Sequence, residues 1–303
     1  MKVLIIGLGS IATKHLWALK EMDAECEVFA LRSGKSSRDV SGVNNIYSFD
    51  ETPADIDFII ICNPTSEHYS VIEQCISYGV PLFIEKPPLM NLNGVDALLN
   101  KVKNKKIKTY TAFNFRFHPL ILWLKSNLSG KRVLEVQAYC GSYLPDWRPN
   151  RDYRKVYSAI EELGGGVHLD LIHEMDYITW LLGTPKKVQS TRKKISDLEI
   201  QTPDYAHYLL EYDQSFAAIT LNYFRKGSKR TIEVVMDDDT WVANLLTGKI
   251  TNSTNELVFE SDVPVQNTYL EQMRYFVQNL KEENDYMNNL AAGVRTLELS
   301  LGW

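Results

Sequence analysis

Lys2-Val3-Leu4-Ile5-Ile6-Gly7-Leu8-Gly9-Ser10-Ile11-Ala12 is the stretch on which the fold turns. Val3 to Ile6 is an unbroken apolar run rich in β-branched residues, the pattern of a parallel strand buried on both faces. It empties into G-x-G-x-x-A and then into a helical pattern carried by His15, Leu16 and Leu19. Gly7 permits the tight turn, and Gly9 lets backbone approach a pyrophosphate. Ser10 and Ile11 open a helix whose N-terminus faces the phosphates, and Ala12 is small enough for close helix–strand packing. Strand, glycine turn and helix in that order predict a dinucleotide-binding half.

Working outward, the next strand runs from Cys26 to Leu31, and its end governs which nicotinamide cofactor fits. An acid there would bond the ribose 2′-hydroxyl. The chain instead reads Leu31-Arg32-Ser33-Gly34-Lys35-Ser36-Ser37-Arg38, with no acid before Asp39. This is either a solvated basic loop or a pocket for a 2′-phosphate with Arg32 and Ser33 as ligands, which favours NADP over NAD. Phe58 to Cys62 is a third buried strand ending in Asn63-Pro64-Thr65, expected at the cofactor edge, with His68 near the start of the following helix.

Pro81 to Ile84 predicts a further strand, delivering Glu85-Lys86-Pro87-Pro88. Proline holds the residue before it in extended geometry and cannot continue the ladder, so Lys86 is pinned at a strand tip, where open α/β sheets bind ligands. The Lys86–Pro87 bond is also one that tolerates the cis form. Lys108 to Phe113 reads as another strand and ends in Asn114-Phe115-Arg116-Phe117-His118-Pro119.

Size and composition bound the rest. A chain of 303 residues fits one large or two ordinary domains, and 45% hydrophobic with 23% charged residues is that of a soluble globular protein. A net charge of −5 gives no reason to expect nucleic acid or anionic membrane as a partner. Apolar runs such as Phe58 to Cys62 are too short to span a bilayer, and Met1-Lys2 leads straight into the first strand, leaving no room for a signal peptide. Four scattered cysteines without a CxxC pair read as reduced thiols of a cytoplasmic protein.

After a helix from Leu120 to Leu128 and a strand from Val133 to Tyr139 comes a polar-aromatic loop containing Trp147, Arg148, Tyr153 and Arg154. Such residues suit a hydroxyl- or phosphate-bearing ligand and equally suit a subunit interface. Gly164-Gly165-Gly166 then opens a helix predicted to reach about Leu182. Asp170 and His173, at i and i+3, share one face of it, and a carboxylate beside an imidazole suits proton transfer. Metal ligation by that pair lacks a third ligand, so no metal is expected. From Lys187 to about Glu260 the alternation predicts an antiparallel meander with an open face, followed by helices at Thr268–Lys281 and Leu290–Leu301.

Together Gly7-x-Gly9-x-x-Ala12, Asn63-Pro64-Thr65, Glu85-Lys86-Pro87, Asn114-x-Arg116-x-x-Pro119 and the block from Gly164 to Asp176 resemble the Gfo/Idh/MocA oxidoreductases. The family is named after glucose–fructose oxidoreductase and inositol dehydrogenase. The resemblance covers essentially the whole chain. It implies an α/β protein: a Rossmann domain over 1–118, then a substrate-binding α+β domain over 119–303 whose large, mostly antiparallel sheet forms a homodimer or homotetramer. It makes Lys86 the catalytic lysine and His173 its partner, with Asp170 beside it, while Glu85 and Pro87 hold the lysine. Glu85, Asn114 and His68 join the cofactor side, and Arg116, Trp147, Arg148, Tyr153 and Arg154 the substrate side. The implied reaction moves a hydride between NAD(P) and a hydroxyl of a sugar, cyclitol or nucleotide sugar. Trp147-Arg148-Pro149 with the Asp170–Glu174 block looks most like members acting on bacterial surface sugars. Asp170 and His173 stand three apart, where members often have four. A non-catalytic NAD(P)- and sugar-binding regulator is the alternative, since fold does not guarantee turnover.

Overall fold

The structure, a computed structural model, describes residues 1–34 and 39–302, so Lys35 and Arg38 of the basic stretch lie outside the described residues. The chain divides into two units, 1–114 with 265–295, and 115–264 with 296 onward. The division falls at 114/115 rather than 118/119. The reading of everything beyond 118 as one domain also misses the return of 265–295 to the first unit.

In chain order the first unit contains β1 (Lys2–Ile6), α1 (Ser10–Met22), β2 (Glu27–Leu31), β3 (Val43–Ile46) and β4 (Phe58–Ile61). Next come α2 (His68–Cys75), β5 (Leu82–Ile84), α3 (Val95–Asn104) and β6 (Thr109–Thr111). The six strands form one sheet in the order β3-β2-β1-β4-β5-β6, with every pair parallel. Val3 to Ile6 and Phe58 to Ile61 are buried on both faces, as central strands between helical layers must be. Successive strands step outward on both sides of β1, so the crevice at the C-terminal ends of β1 and β4 is the switch point where such sheets take ligands.

The second unit holds α4 (Pro119–Asn127), β7 (Val133–Tyr143), α5 (Val167–Asp170), α6 (His173–Leu182) and β8 (Lys187–Lys193). It continues with β9 (Tyr205–Glu211), β10 (Phe216–Asn222), β11 (Phe224–Met236), β12 (Thr240–Asn244), β13 (Lys249–Thr251) and β14 (Leu257–Glu260). They make an eight-stranded sheet in the order β14-β13-β12-β11-β7-β10-β9-β8. The expected meander is therefore interrupted: β7, from upstream, inserts between β10 and β11 and runs parallel to β10. Its inner face buries Val136 and Ala138 with Ile219 and Ile232 in the core of this unit.

The helix predicted from Gly166 to Leu182 is two helices. Leu171 (φ −99°, ψ 30°) leaves helical geometry after α5, and α6 begins at His173. Two further helices close the chain. α7 (Asn267–Gln278) packs along α1 in the first unit, and α8 (Leu290–Leu301) contributes its N-terminal half there. Among the described residues no helix is long and apolar enough to cross a membrane.

Candidate active site

A cavity of about 730 Å³ lies at the C-terminal ends of β1, β2 and β4, lined among others by Gly7, Gly9, Arg32, Ser33, Asn63 and Pro64. That volume falls in the range of small-molecule and cofactor sites. Gly7 has φ +81°, and a Cβ there would lie 2.8 Å from the Asn63 backbone nitrogen, so glycine is required on both counts. Gly9 is different: a Cβ would meet nothing within 4 Å, leaving space over the α1 N-terminus that no side chain caps. Ser10 is exposed at the first turn, Ile11 is half-buried, and Ala12 is buried against the sheet. Unsatisfied N–H groups facing an open, glycine-lined space fit a pyrophosphate. Asn63 Oδ1 is buried with no hydrogen-bond partner among the described residues, which fits a donor from a bound ligand. Arg32 Nη1 donates to Asn45 Oδ1 at 2.9 Å, so the guanidinium is fixed at the end of β2. Asp50 lines the same cavity and was not singled out from the sequence.

Lys86, half-buried, follows β5 and precedes a cis peptide bond to Pro87. Its backbone N–H donates to Glu85 Oε2 at 3.1 Å, and Glu85 Oε1 lies 2.5 Å from Nε2 of His15, which is fully buried on α1. Burial opposes the Glu85 charge, but the His15 contact and the nearby Lys86 outweigh it and hold the carboxyl below its usual value. The helix that starts at the cofactor turn is thus tied directly to the residue before Lys86. His68 is buried too. Its Nδ1 lies 3.2 Å from the Pro87 and Pro88 carbonyl oxygens and its Nε2 3.0 Å from that of Asn63, so the ring joins the ends of β4 and β5. Burial lowers its pKa despite those carbonyls.

In the second unit His173 opens α6 with its ring 5.0 Å, centroid to centroid, from Phe115. Glu174, fully buried, accepts from Arg230 Nε at 2.6 Å and Nη2 at 3.0 Å, and from the Tyr177 hydroxyl at 3.1 Å. Asp170 Oδ2 accepts from the Tyr223 hydroxyl at 2.5 Å, and Trp147 packs edge-on against the Tyr223 ring. The break at Leu171 separates two carboxylates with different partners: Asp170 bonds Tyr223, between β10 and β11, and Glu174 bonds Arg230 on β11. Asp170 and His173 therefore do not share a helical face as the spacing predicted.

Two family models match this chain: the oxidoreductase family with an NAD-binding Rossmann fold over residues 1–113, and the GFO/IDH/MocA C-terminal domain over 126–242. The chain belongs to the Gfo/Idh/MocA family. Among curated relatives, the inositol 2-dehydrogenase of Rhizobium meliloti is 29% identical over 203 residues, a match spanning 65% of this chain and 59% of that protein. A myo-inositol 2-dehydrogenase of Thermotoga maritima is 24% identical across 93% of this chain and 88% of its own length. The fold also matches the WlbA dehydrogenase of Chromobacterium violaceum, solved with NADH and UDP-GlcNAcA, at a TM-score of 0.83 and 15% identity, over 100% of this chain and 92% of that one.

Not every residue expected at this Gfo/Idh/MocA site is where the motifs suggested. Gly7, Gly9, Arg32, Ser33, Asn63 and Pro64 do gather on one cavity. Thr65 is buried at the turn before α2. His68 and Glu85 are buried in contacts of their own and frame the Lys86 segment. Asn114, expected on the cofactor side, is buried and donates to Thr268 Oγ1 on α7 at 2.6 Å, a consequence of the C-terminal segment returning to this unit. Arg116, expected to bind substrate, is buried in a two-pronged ion pair with Asp176 on α6 (2.7–3.2 Å) and lies over Trp180. Arg154 is exposed but spends its charge on Asp152 and Glu199. Trp147, Arg148 and Tyr153 do converge, on a recess of about 10 Å³ shared with Leu144 and Ser158. His15, Tyr223 and the Glu174–Arg230 pair were missed. His15 falls on the buried stripe of α1 with Ala12 and Leu19, a signal that reads as core. Arg230 gave none, because its partner lies 56 residues away.

Proposed function

We propose that this chain is an NAD(P)-dependent dehydrogenase or reductase acting on a CH–OH group of a sugar, cyclitol or nucleotide sugar. The observation that carries this reading is the Glu85–His15 tie, which locks the lysine-bearing strand tip to the helix at the cofactor turn. When bound, the nicotinamide supplies the hydride acceptor or donor. Lys86 stabilises the developing alkoxide and shares the hydroxyl proton with His173. Arg32 and Ser33 at the end of β2 receive a 2′-phosphate, favouring NADP. The choice of sugar- and cyclitol-like substrates is supported by the inositol dehydrogenases among the relatives, and that of a nucleotide sugar by the ligand of the WlbA enzyme. The outer face of the eight-stranded sheet, with Phe216 48% exposed, joins subunits into a dimer or tetramer.

The test is direct. Panels of nucleotide sugars, cyclitols and free sugars are mixed with protein and each cofactor while nicotinamide absorbance is followed. A substrate-dependent change is expected with at least one class. Sugar-dependent thermal stabilisation without any absorbance change would replace catalysis with the regulatory reading.

A further inference from the structure

One buried cluster in the second unit goes unused in that scheme: Arg230 on β11, Glu174 on α6 and Phe115 ahead of α4. The Arg230 guanidinium carbon lies 3.6 Å from the centre of the Phe115 ring, the ring that also packs against His173. Its nitrogens grip both oxygens of Glu174, the residue next to His173. Glu174 is fully buried and the Arg230 side chain is 14% exposed, so water screens this pair little. Burial works against the guanidinium, but Glu174, together with Cys140 and Tyr177, more than offsets it and keeps the group charged. The planar fork and flat face of arginine are both in use, which a lysine cannot reproduce.

We propose that Arg230 is a positioning residue for His173, fixing the imidazole through two routes: the Glu174 carboxylate beside it in the chain and the Phe115 ring beside it in space. The inference rests on the role given to His173 above. Without Arg230 the start of α6 would lose its anchor to the sheet, and Phe115 would lose the plate that sets its tilt. Charged and titratable groups on the elements that carry or flank His173 include Asp170 at the end of α5, Glu174 and Tyr177 on α6, Arg116 and His118 ahead of α4, and Arg230 on β11. His118 is pushed down to about 4 by burial and by Arg230, so it stays neutral across the working pH range.

Three variants of the full chain test this, each checked by thermal unfolding and then for kcat, KM and pH profile. Arg230→Lys and Phe115→Leu should each lower kcat about tenfold with KM little changed, the signature of a misplaced reacting group. Glu174→Gln leaves the Arg230 charge unbalanced and disfavours an imidazolium nearby. It should move the acid limb of the kcat profile to lower pH by about half a unit or more. If Arg230→Lys proves unstable, Phe115→Leu decides, since it leaves no buried charge unpaired. An unchanged kcat and an unmoved acid limb, in protein where His173→Ala still abolishes turnover, would overturn the positioning role alone. Normal turnover in His173→Ala would remove the reading beneath it as well.

Discussion

Two buried carboxylates stand one residue from the two candidate reacting groups, Glu85 before Lys86 in the first unit and Glu174 after His173 in the second. Both meet a partner far along the chain. The partners differ: Glu85 meets an imidazole, His15, while Glu174 meets a guanidinium, Arg230. An arginine stays charged at any pH the fold survives, so the second pair is a fixed anchor. The His15 imidazole reaches Glu85 through one nitrogen, Nε2, so the first pair is a single contact. The first unit is thus held by a single-point tie and the second by a two-pronged one.

Breaking each pair should expose that difference most strongly in stability. Arg230→Ala leaves Glu174 charged and buried without its partner, and should cost about 3–5 kcal/mol. Glu85→Gln keeps shape and one hydrogen bond to the His15 ring, and should cost about 1–3 kcal/mol. Chemical denaturation of both variants measures the ordering; a larger loss for Glu85→Gln would reverse the ranking of the two ties.

Acid sharpens the comparison. In the second unit burial pushes His118 down to about 4 and His168 down to about 3. Both are depressed below the ordinary value of 6.5, so the unfolded chain takes up protons first. Their stabilising effect is complete above 6.5 and is lost as pH falls toward the folded values, at up to about 1.4 kcal/mol per pH unit for each group. His68 in the first unit shifts in the same direction and adds with the same sign. Glu85 also has a depressed pKa, so its contribution is lost only below the ordinary glutamate range. Denaturation midpoints measured from neutral pH downward should therefore begin to fall below about 6.5. A flat response down to the glutamate range would contradict the neutral, buried state of His118 and His168. The smallest effect is expected at the cofactor rim: Arg32→Ala should weaken NADPH binding about tenfold and NADH binding little. Equal loss for both cofactors in parallel titrations would mean that Arg32 serves the adenine or Asn45 and not a phosphate.

Much of the first sheet was legible because β1, β4 and β5 are continuous apolar runs, with Gly7, Pro64 and Pro87 within three residues of their ends. β3 was not, since Val43-Asn44-Asn45-Ile46 has neither a run nor a clear alternation and is a strand only because β2 offers it an edge. The split between α5 and α6 was equally hidden. Helical spacing supposes an unbroken helix, while Asp170 and Glu174, on either side of the break, bond Tyr223 and Arg230, which the chain delivers some fifty residues later. The same limit explains Arg116 and Asn114. Both have the chemistry of ligand-binding groups, and only tertiary structure shows that they also bond Asp176 and Thr268. Lys86 and Gly7 were readable from local rules, a strand tip before proline and a turn that needs positive φ.

The proposal that Lys86 and His173 act on one proton of one substrate is tested most directly by a double-mutant cycle. Lys86→Ala and His173→Ala should each lower turnover by at least about a hundredfold while cofactor affinity is retained. Residues that work as a unit give strongly non-additive losses. The double variant should therefore be little worse than the poorer single one. Losses that multiply, or near-normal turnover in Lys86→Ala, would contradict the account.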